Sequence, residues 1–237
     1  MSDIRGHSGI KEPEDEPILV PFLKWAGGKR WLISDYPSLL EKTYGRYVEP
    51  FLGSGAVFFH LKPRKALLAD INNDLIDCYI AIKDRWEDVL RILRRHHRQH
   101  SRGHYYLERG RNRRTLVERA ARLIYLNRTC WNGLYRVNLN GDFNVPIGTK
   151  TSVLLDTDNF SEISDLLSTT KLQCQDFEVT IDATIEGDFI FADPPYTVKH
   201  NHNGFLKYNE SIFSWDDQRR LHSALIERSC EALVSFC

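Results

Sequence analysis

Several familiar signatures are missing from this 237-residue sequence, and each absence excludes a class of protein. No stretch reaches the roughly 18 consecutive apolar residues that a bilayer-spanning helix needs. The acidic start, residues 1–17, lacks the basic lead and apolar run of a signal peptide, so membrane and secreted classes are not expected. Only five cysteines occur (Cys78, Cys130, Cys174, Cys230 and Cys237), widely scattered and never spaced CxxC. That excludes a disulfide framework or zinc knuckle and points to a reducing cytoplasm. Phosphate-loop spacing is absent around Gly27-Gly28-Lys29, and Arg30 stands where Ser or Thr would hold magnesium. Gly53-Ser54-Gly55 lacks the GxSxG frame of a nucleophile elbow, and Phe58 replaces the third glycine of a dinucleotide fingerprint.

Net charge is also absent, yet the zero conceals a segregation. Residues 83–136 hold 15 Lys or Arg against 5 Asp or Glu, while the remainder holds 17 against 27. One region is therefore suited to a polyanion, although an amphipathic, solvated helical surface has the same composition. His96, His97, His100 and His104 lie in this stretch with no Cys or carboxylate at a recognised ligand spacing. They are expected to be solvated or phosphate-facing, and no metal is expected.

What is present builds one α/β domain. Hydrophobic residues at 42% supply enough apolar surface for a core. Order is expected from Ile18 onward, after a disordered lead over 1–17. A helix over 29–40, a strand over 47–49, a glycine turn at 50–55, a helix over 56–61 and a strand over 65–70 follow the grammar of a parallel sheet. Residues 73–82 have helical periodicity. From 84 to 126 the pattern is helical and basic, and Asn140-Gly141 predicts a hairpin pairing 135–139 with 143–146. A helix over 160–167, strands over 171–174 and 188–192, a helix over 215–229 and a strand over 232–236 resume the alternation. The expected organisation is an α/β domain over 18–83 and 151–237 interrupted by an inserted subdomain over 84–150.

Asp193-Pro194-Pro195-Tyr196, at the end of an apolar strand, is the sharpest motif. Two prolines end the ladder and stiffen the loop. The loop offers a carboxylate, a carbonyl and an aromatic face, which suit the two hydrogens of an exocyclic amine and a stacked base. Glu49-Pro50-Phe51-Leu52-Gly53-Ser54-Gly55 supplies a turn where backbone can approach a ligand, and Asp70 ends the second strand where ribose hydroxyls would seek an acceptor.

Taken together, FLKWAGGK (22–29), EPFLGSGAVF (49–58), LNRTCWNGLYRVNLNGDFNVPIG (126–148) and DPPY (193–196) resemble the DNA adenine methyltransferase (Dam-like) family in content and order. The resemblance implies a doubly wound, mostly parallel seven-stranded Rossmann-like sheet with an inserted helical and hairpin subdomain. It further implies S-adenosylmethionine as cofactor, double-stranded DNA as partner, and methylation of adenine within GATC. Trp25, Lys29, Glu49, Pro50, Phe51, Gly53 and Gly55 would surround the methionine part. Asp70 would take the ribose, and Asp176 with Phe177 the cofactor's adenine. Asp193, Pro194, Pro195 and Tyr196 would hold the target base. Arg136 would meet a guanine, Leu134 and Pro146 a thymine methyl, and Arg128, Asn132 and Asn138 phosphates. Lys24 would read an outer guanine and Trp131 would wedge into the stack. The same tetrapeptide chemistry leaves an N(4)-cytosine or RNA adenine methyltransferase as alternatives. Family catalytic domains continue beyond the position of Ser235, so the last strands of the sheet are expected to be missing here. A catalytically weak DNA-binding remnant is the corresponding alternative. A companion restriction endonuclease and the oligomeric state are left open.

Overall fold

The computed structural model describes residues 18–138, 140–195, 213–228 and 231–234. Five strands form one sheet, β1 (Arg46–Glu49), β2 (Ala66–Asp70), β3 (Thr170–Cys174), β4 (Asp188–Ala192) and β5 (Glu231–Val234). Their order is β3-β2-β1-β4-β5, and every neighbouring pair is parallel. The described residues thus account for five of the seven strands that the resemblance implies. Because the chain winds outward from β1 to β3 and then crosses to β4 and β5, the order reverses between β1 and β4. In an open parallel sheet that is where a crevice forms outside the carboxyl ends.

Period-two alternation divides the strands between two apolar layers. Tyr47, Leu68, Phe189 and Phe191 face the larger core, whereas Val48, Leu67, Ile190 and Ala192 face the smaller one. Helix α2 (Ala56–Leu61), α3 (Asn73–Gln99), α5 (Leu116–Thr129) and α6 (Phe160–Ser168) supply the first layer. Helix α7 (Phe177–Asp182) and α8 (Trp215–Ile226) supply the second. A short α1 (Arg30–Asp35) and a turn of 3-10 helix, Pro37–Leu39, replace the single helix expected over 29–40. Among the described residues no helix is long and apolar enough to cross a membrane.

The periodicity at 73–82 continues through the basic stretch as one 27-residue helix, α3, with a kink at Arg85 (φ −146°). The expected boundary at 83/84 therefore falls inside α3 rather than in a linker. Asn72 caps its start by accepting from the Leu75 N–H. Helix α4 (Arg102–Arg109) turns back, and α5 begins at a capping box in which Thr115 and Glu118 satisfy each other's backbone. The hairpin at 135–146 is looser than expected, with the bridge Val137↔Phe143 and the Asn138 N–H donating to the Asp142 carbonyl. Gly141 takes φ +83° at its tip, the left-handed geometry that Asn-Gly turns need.

Candidate active site

Parallel pairing brings the carboxyl ends of the strands to one edge, and each relevant strand ends there in an acid. Asp176 follows β3, Asp70 ends β2, Glu49 ends β1 and Asp193 follows β4. Chain order scatters these residues over 145 positions, and strand order lines them up.

Asp193 stands at the reversal point. Its Oδ1 lies 2.9 Å from Lys29 Nζ, and that ammonium also donates to the Gly27 carbonyl at 2.8 Å. Lys29 is almost wholly buried, so both charges sit in a poorly solvated place. At this distance the two groups attract as an ion pair. Burial lifts the Asp193 carboxyl to about 6, and Lys29 pulls against that rise. Pro194 is buried and Pro195 half-buried beside it. Tyr196 lies outside the described residues.

Glu49 is buried and accepts from the Tyr47 hydroxyl at 2.9 Å. Burial pushes its carboxyl well up; the Tyr47 hydrogen bond opposes this, and the charges of Asp193 and Asp70 add to it. Asp70 accepts from the Gly53 N–H at 3.1 Å and the Asn72 N–H at 2.9 Å, which hold down a carboxyl that burial raises. Between them the 50–55 turn uses two left-handed glycines, Gly53 (φ +50°) and Gly55 (φ +64°). The φ of Gly53 favours glycine, and a Cβ there would also press on the Trp25 ring at 3.1 Å. Pro50 is buried at this turn and Phe51 stacks on Phe177 at 5.3 Å.

Asp176 and Phe177 lie farther along the same edge. Asp176 caps α7 through the Glu178 N–H and pairs with Arg220 at 2.9 Å. The Arg220 guanidinium also lies over the buried Phe177 ring, 4.8 Å from its centroid.

The residues expected to meet DNA divide. Trp131, Asn132, Asn138 and Pro146 are exposed along the hairpin, and Leu134 and Arg136 are half-buried. Trp131 is 57% exposed. Arg136 donates through Nε to Asn144 at 2.8 Å, which fixes its stem. Asn138 accepts at its side-chain oxygen from the Asn140 and Asp142 N–H groups, so that oxygen builds the turn. Lys24 is exposed, with both backbone polar groups bonded to the Asn127 amide at 2.8 and 2.9 Å.

Arg128 is a correction. Its guanidinium is buried, paired with Asp158 by two contacts of 2.6 Å and donating to the carbonyls of Val153 and Phe22. It holds the segment after the hairpin onto α5 and does not face a phosphate. Within the histidine stretch His97 is exposed, whereas His96 is a second correction. His96 is 1% exposed, stacked on Tyr125 at 4.7 Å, with Nδ1 2.9 Å from His104 Nε2. His96 is thus shut away from solvent while His104 is half-buried, and both lie near buried Glu108, a carboxylate that linear spacing had not associated with them. Both Glu108 oxygens accept from Arg113.

Sequence reasoning missed Asn127, Tyr135, Tyr47 and Asp158. Asn127 and Tyr135 sit inside the 126–148 motif; Tyr47 and Asp158 have no signal in one sequence, because their partners are distant or of ordinary type.

Comparison with known proteins agrees with this geometry. The family model for D12 class N6 adenine-specific DNA methyltransferase matches residues 25–236. A Type II methyltransferase, M1.LlaDCHI, of Lactococcus lactis subsp. cremoris is 40% identical over 212 residues, covering 86% of this chain and 75% of the relative. The Type II methyltransferase M.MjaIII of Methanocaldococcus jannaschii is 38% identical over 240 residues, covering 91% and 83%. The DNA adenine methylase of Escherichia coli is 30% identical over 221 residues, covering 90% and 79%. These matches set aside cytosine and RNA as alternative targets. With an acid-lined edge at the sheet's reversal point and a family model spanning nearly all the described fold, the chain belongs to the D12 class N6 adenine-specific DNA methyltransferases.

Proposed function

We propose that this enzyme transfers a methyl group from S-adenosylmethionine to the exocyclic amine of adenine within GATC in duplex DNA. The observation that carries the proposal is the edge itself: Asp193, Glu49 and Asp70 at the ends of three adjacent strands, with glycine backbone between them. The chemistry of these groups fits that cofactor. Glu49 is a buried carboxylate raised by desolvation, and a neighbouring ammonium would restore its charge. Asp70 is held by two backbone N–H groups, with lone pairs remaining for vicinal hydroxyls. Gly53 in its left-handed conformation lets the backbone of the turn lie close against Trp25. When bound, S-adenosylmethionine supplies an electrophilic methyl on a sulfonium.

The protein's task is then to make a poor nucleophile competent. The adenine amine is delocalised into the ring, and acceptors on both hydrogens favour a tetrahedral nitrogen. The Asp193 carboxylate and the Pro194 carbonyl are the acceptors, and Tyr196 stacks on the extruded base. Asp193 acts only when ionised. Lys29 favours that form in a site whose burial opposes it. Catalysis rests on positioning and electrostatics, with no covalent enzyme intermediate. On the DNA side, Arg136 reads guanine through two parallel donors, Leu134 and Pro146 meet a thymine methyl, and Trp131 fills the gap left by the base. Lys24 reads an outer guanine, and Asn132 and Asn138 meet phosphates.

The test is incorporation of labelled methyl from S-adenosylmethionine into duplexes that differ only in a GATC site. Labelling confined to the GATC duplex is expected. Equal labelling of both overturns the sequence assignment, and no labelling of either overturns the donor.

A further inference from the structure

The 22–29 segment, which leads into the cofactor loop, and the 126–148 segment, which carries the hairpin, touch through Trp25 and Tyr135. Their rings stack with centroids 5.0 Å apart and planes 25° apart. Trp25 also lies against Gly53, close enough that a Cβ there would come within 3.1 Å of the indole. Tyr135 makes a second link, donating its hydroxyl to Asp74 Oδ2 at 2.9 Å. Asp74 lies in the first turn of α3, whose Asn72 cap has its N–H on Asp70. One side chain thus touches Trp25 directly and is linked to Asp70 through Asp74 and the start of α3. Its neighbours in sequence, Leu134 and Arg136, are proposed base contacts. The backbone beneath is fixed as well: Asn127 Nδ2 donates to both the Lys24 and the Gly133 carbonyls, at 2.9 and 3.2 Å.

We propose that Tyr135 is a positioning residue that couples the recognition hairpin to the cofactor loop, so that filling either site raises affinity at the other. This rests on the functional proposal above. Displacement of the hairpin by DNA moves a ring that bears on Trp25, and ordering of the 50–55 turn by cofactor seats Trp25 for that ring. Linkage makes the effect reciprocal.

The test measures the affinity of the full chain for a GATC duplex with and without S-adenosylhomocysteine, and for S-adenosylhomocysteine with and without the duplex. The two coupling factors must agree and are expected at about tenfold, within the usual span of roughly 5- to 150-fold. Tyr135→Ala should reduce the factor to below about twofold while each separate affinity stays within about threefold. Tyr135→Phe keeps the stack and loses the Asp74 bond, so its factor should fall between. Asp74→Ala, at an exposed position, should match Tyr135→Phe and add nothing to it in the double variant. These two variants decide the matter if Tyr135→Ala does not fold. Full coupling in Tyr135→Phe and Asp74→Ala together with Tyr135→Ala overturns the proposal, as does an equal loss of both separate affinities with coupling preserved. A wild-type chain that binds both ligands without coupling overturns this inference alone. One that binds neither overturns the functional proposal with it.

Discussion

The acidic edge of the sheet and the basic helical region handle charge in opposite ways. At the edge, burial drives Glu49, Asp70 and Asp193 upward, and Lys29 is the cation paired to Asp193. In the basic region some arginines are matched to acids, Arg111 and Arg113 with Glu108, Arg119 with Asp77, and Arg128 with Asp158, while Arg94, Arg95, Arg98, Arg102 and Arg114 are exposed. A run that reads in sequence as a surface for a polyanion is partly an internal scaffold. A cavity of about 530 Å³ between α4, α5 and the hairpin gathers Arg109, Arg113 and Arg122 opposite Asn138 and Asn144, so some of the charge faces the recognition side. The difference teaches that excess charge marks function here where burial leaves it under-compensated, rather than where it is most abundant.

The comparison breaks most sharply at Asp193. Asp193→Ala should lower the methyl-transfer rate by about three to four orders of magnitude while sparing cofactor affinity, checked by single-turnover kinetics beside calorimetry. Equal losses of both would relocate the residue to the cofactor. In the wild type the acceptor is lost as the carboxylate protonates, so the rate should fall as pH drops through about 6. Lys29→Met removes the cation that holds the carboxyl down, and the acidic limb of the pH profile should move upward.

Arg128 tests the other half. Arg128→Ala leaves Asp158 buried without its partner and should cost about 3 to 5 kcal/mol of stability, measured by denaturant unfolding. Unchanged stability with weakened DNA binding would return it to the phosphate role. For Arg136→Ala the expected loss is about 1 to 3 kcal/mol of discrimination at one guanine, measured by competing GATC against single-base variants. Uniform weakening on every sequence would make it a backbone contact.

The smallest effect concerns His96. Burial holds its imidazole at about 4, well below an exposed histidine, so the unfolded chain binds the extra proton between the two values. Stability should decline as pH falls from about 6.5 towards 4. His96→Phe, which can keep the stack on Tyr125, should flatten that decline in pH-dependent melting curves.

Local pattern was enough for the strands and for the loops that bear the chemistry. Apolar stretches ending in Asp70 and Asp193, and glycines at 53 and 55, announce β2, β4 and the turn because strand period and positive φ are properties of neighbouring residues. The short α7 was not foreseen, because Asp176 joins a six-residue segment too brief to show helical periodicity. Arg128 misled for a related reason: its buried partner lies 30 positions away in a segment without a motif.

By itself, then, the sequence determined the residue types available and where the backbone must bend: DPPY stops a strand, Asn140-Gly141 reverses a chain, and the glycine turn admits a close neighbour. Only the tertiary structure decided which charges meet. Parallel pairing in the order β3-β2-β1-β4 set Asp176, Asp70, Glu49 and Asp193 along one edge. The packing of α3 against α5 set Arg119 on Asp77, and the fold enclosed Arg128 with Asp158, while most of the arginine run stayed exposed. The physical reason is range: backbone geometry follows from adjacent atoms, whereas desolvation and ion pairing depend on groups that the fold alone brings within a few ångströms.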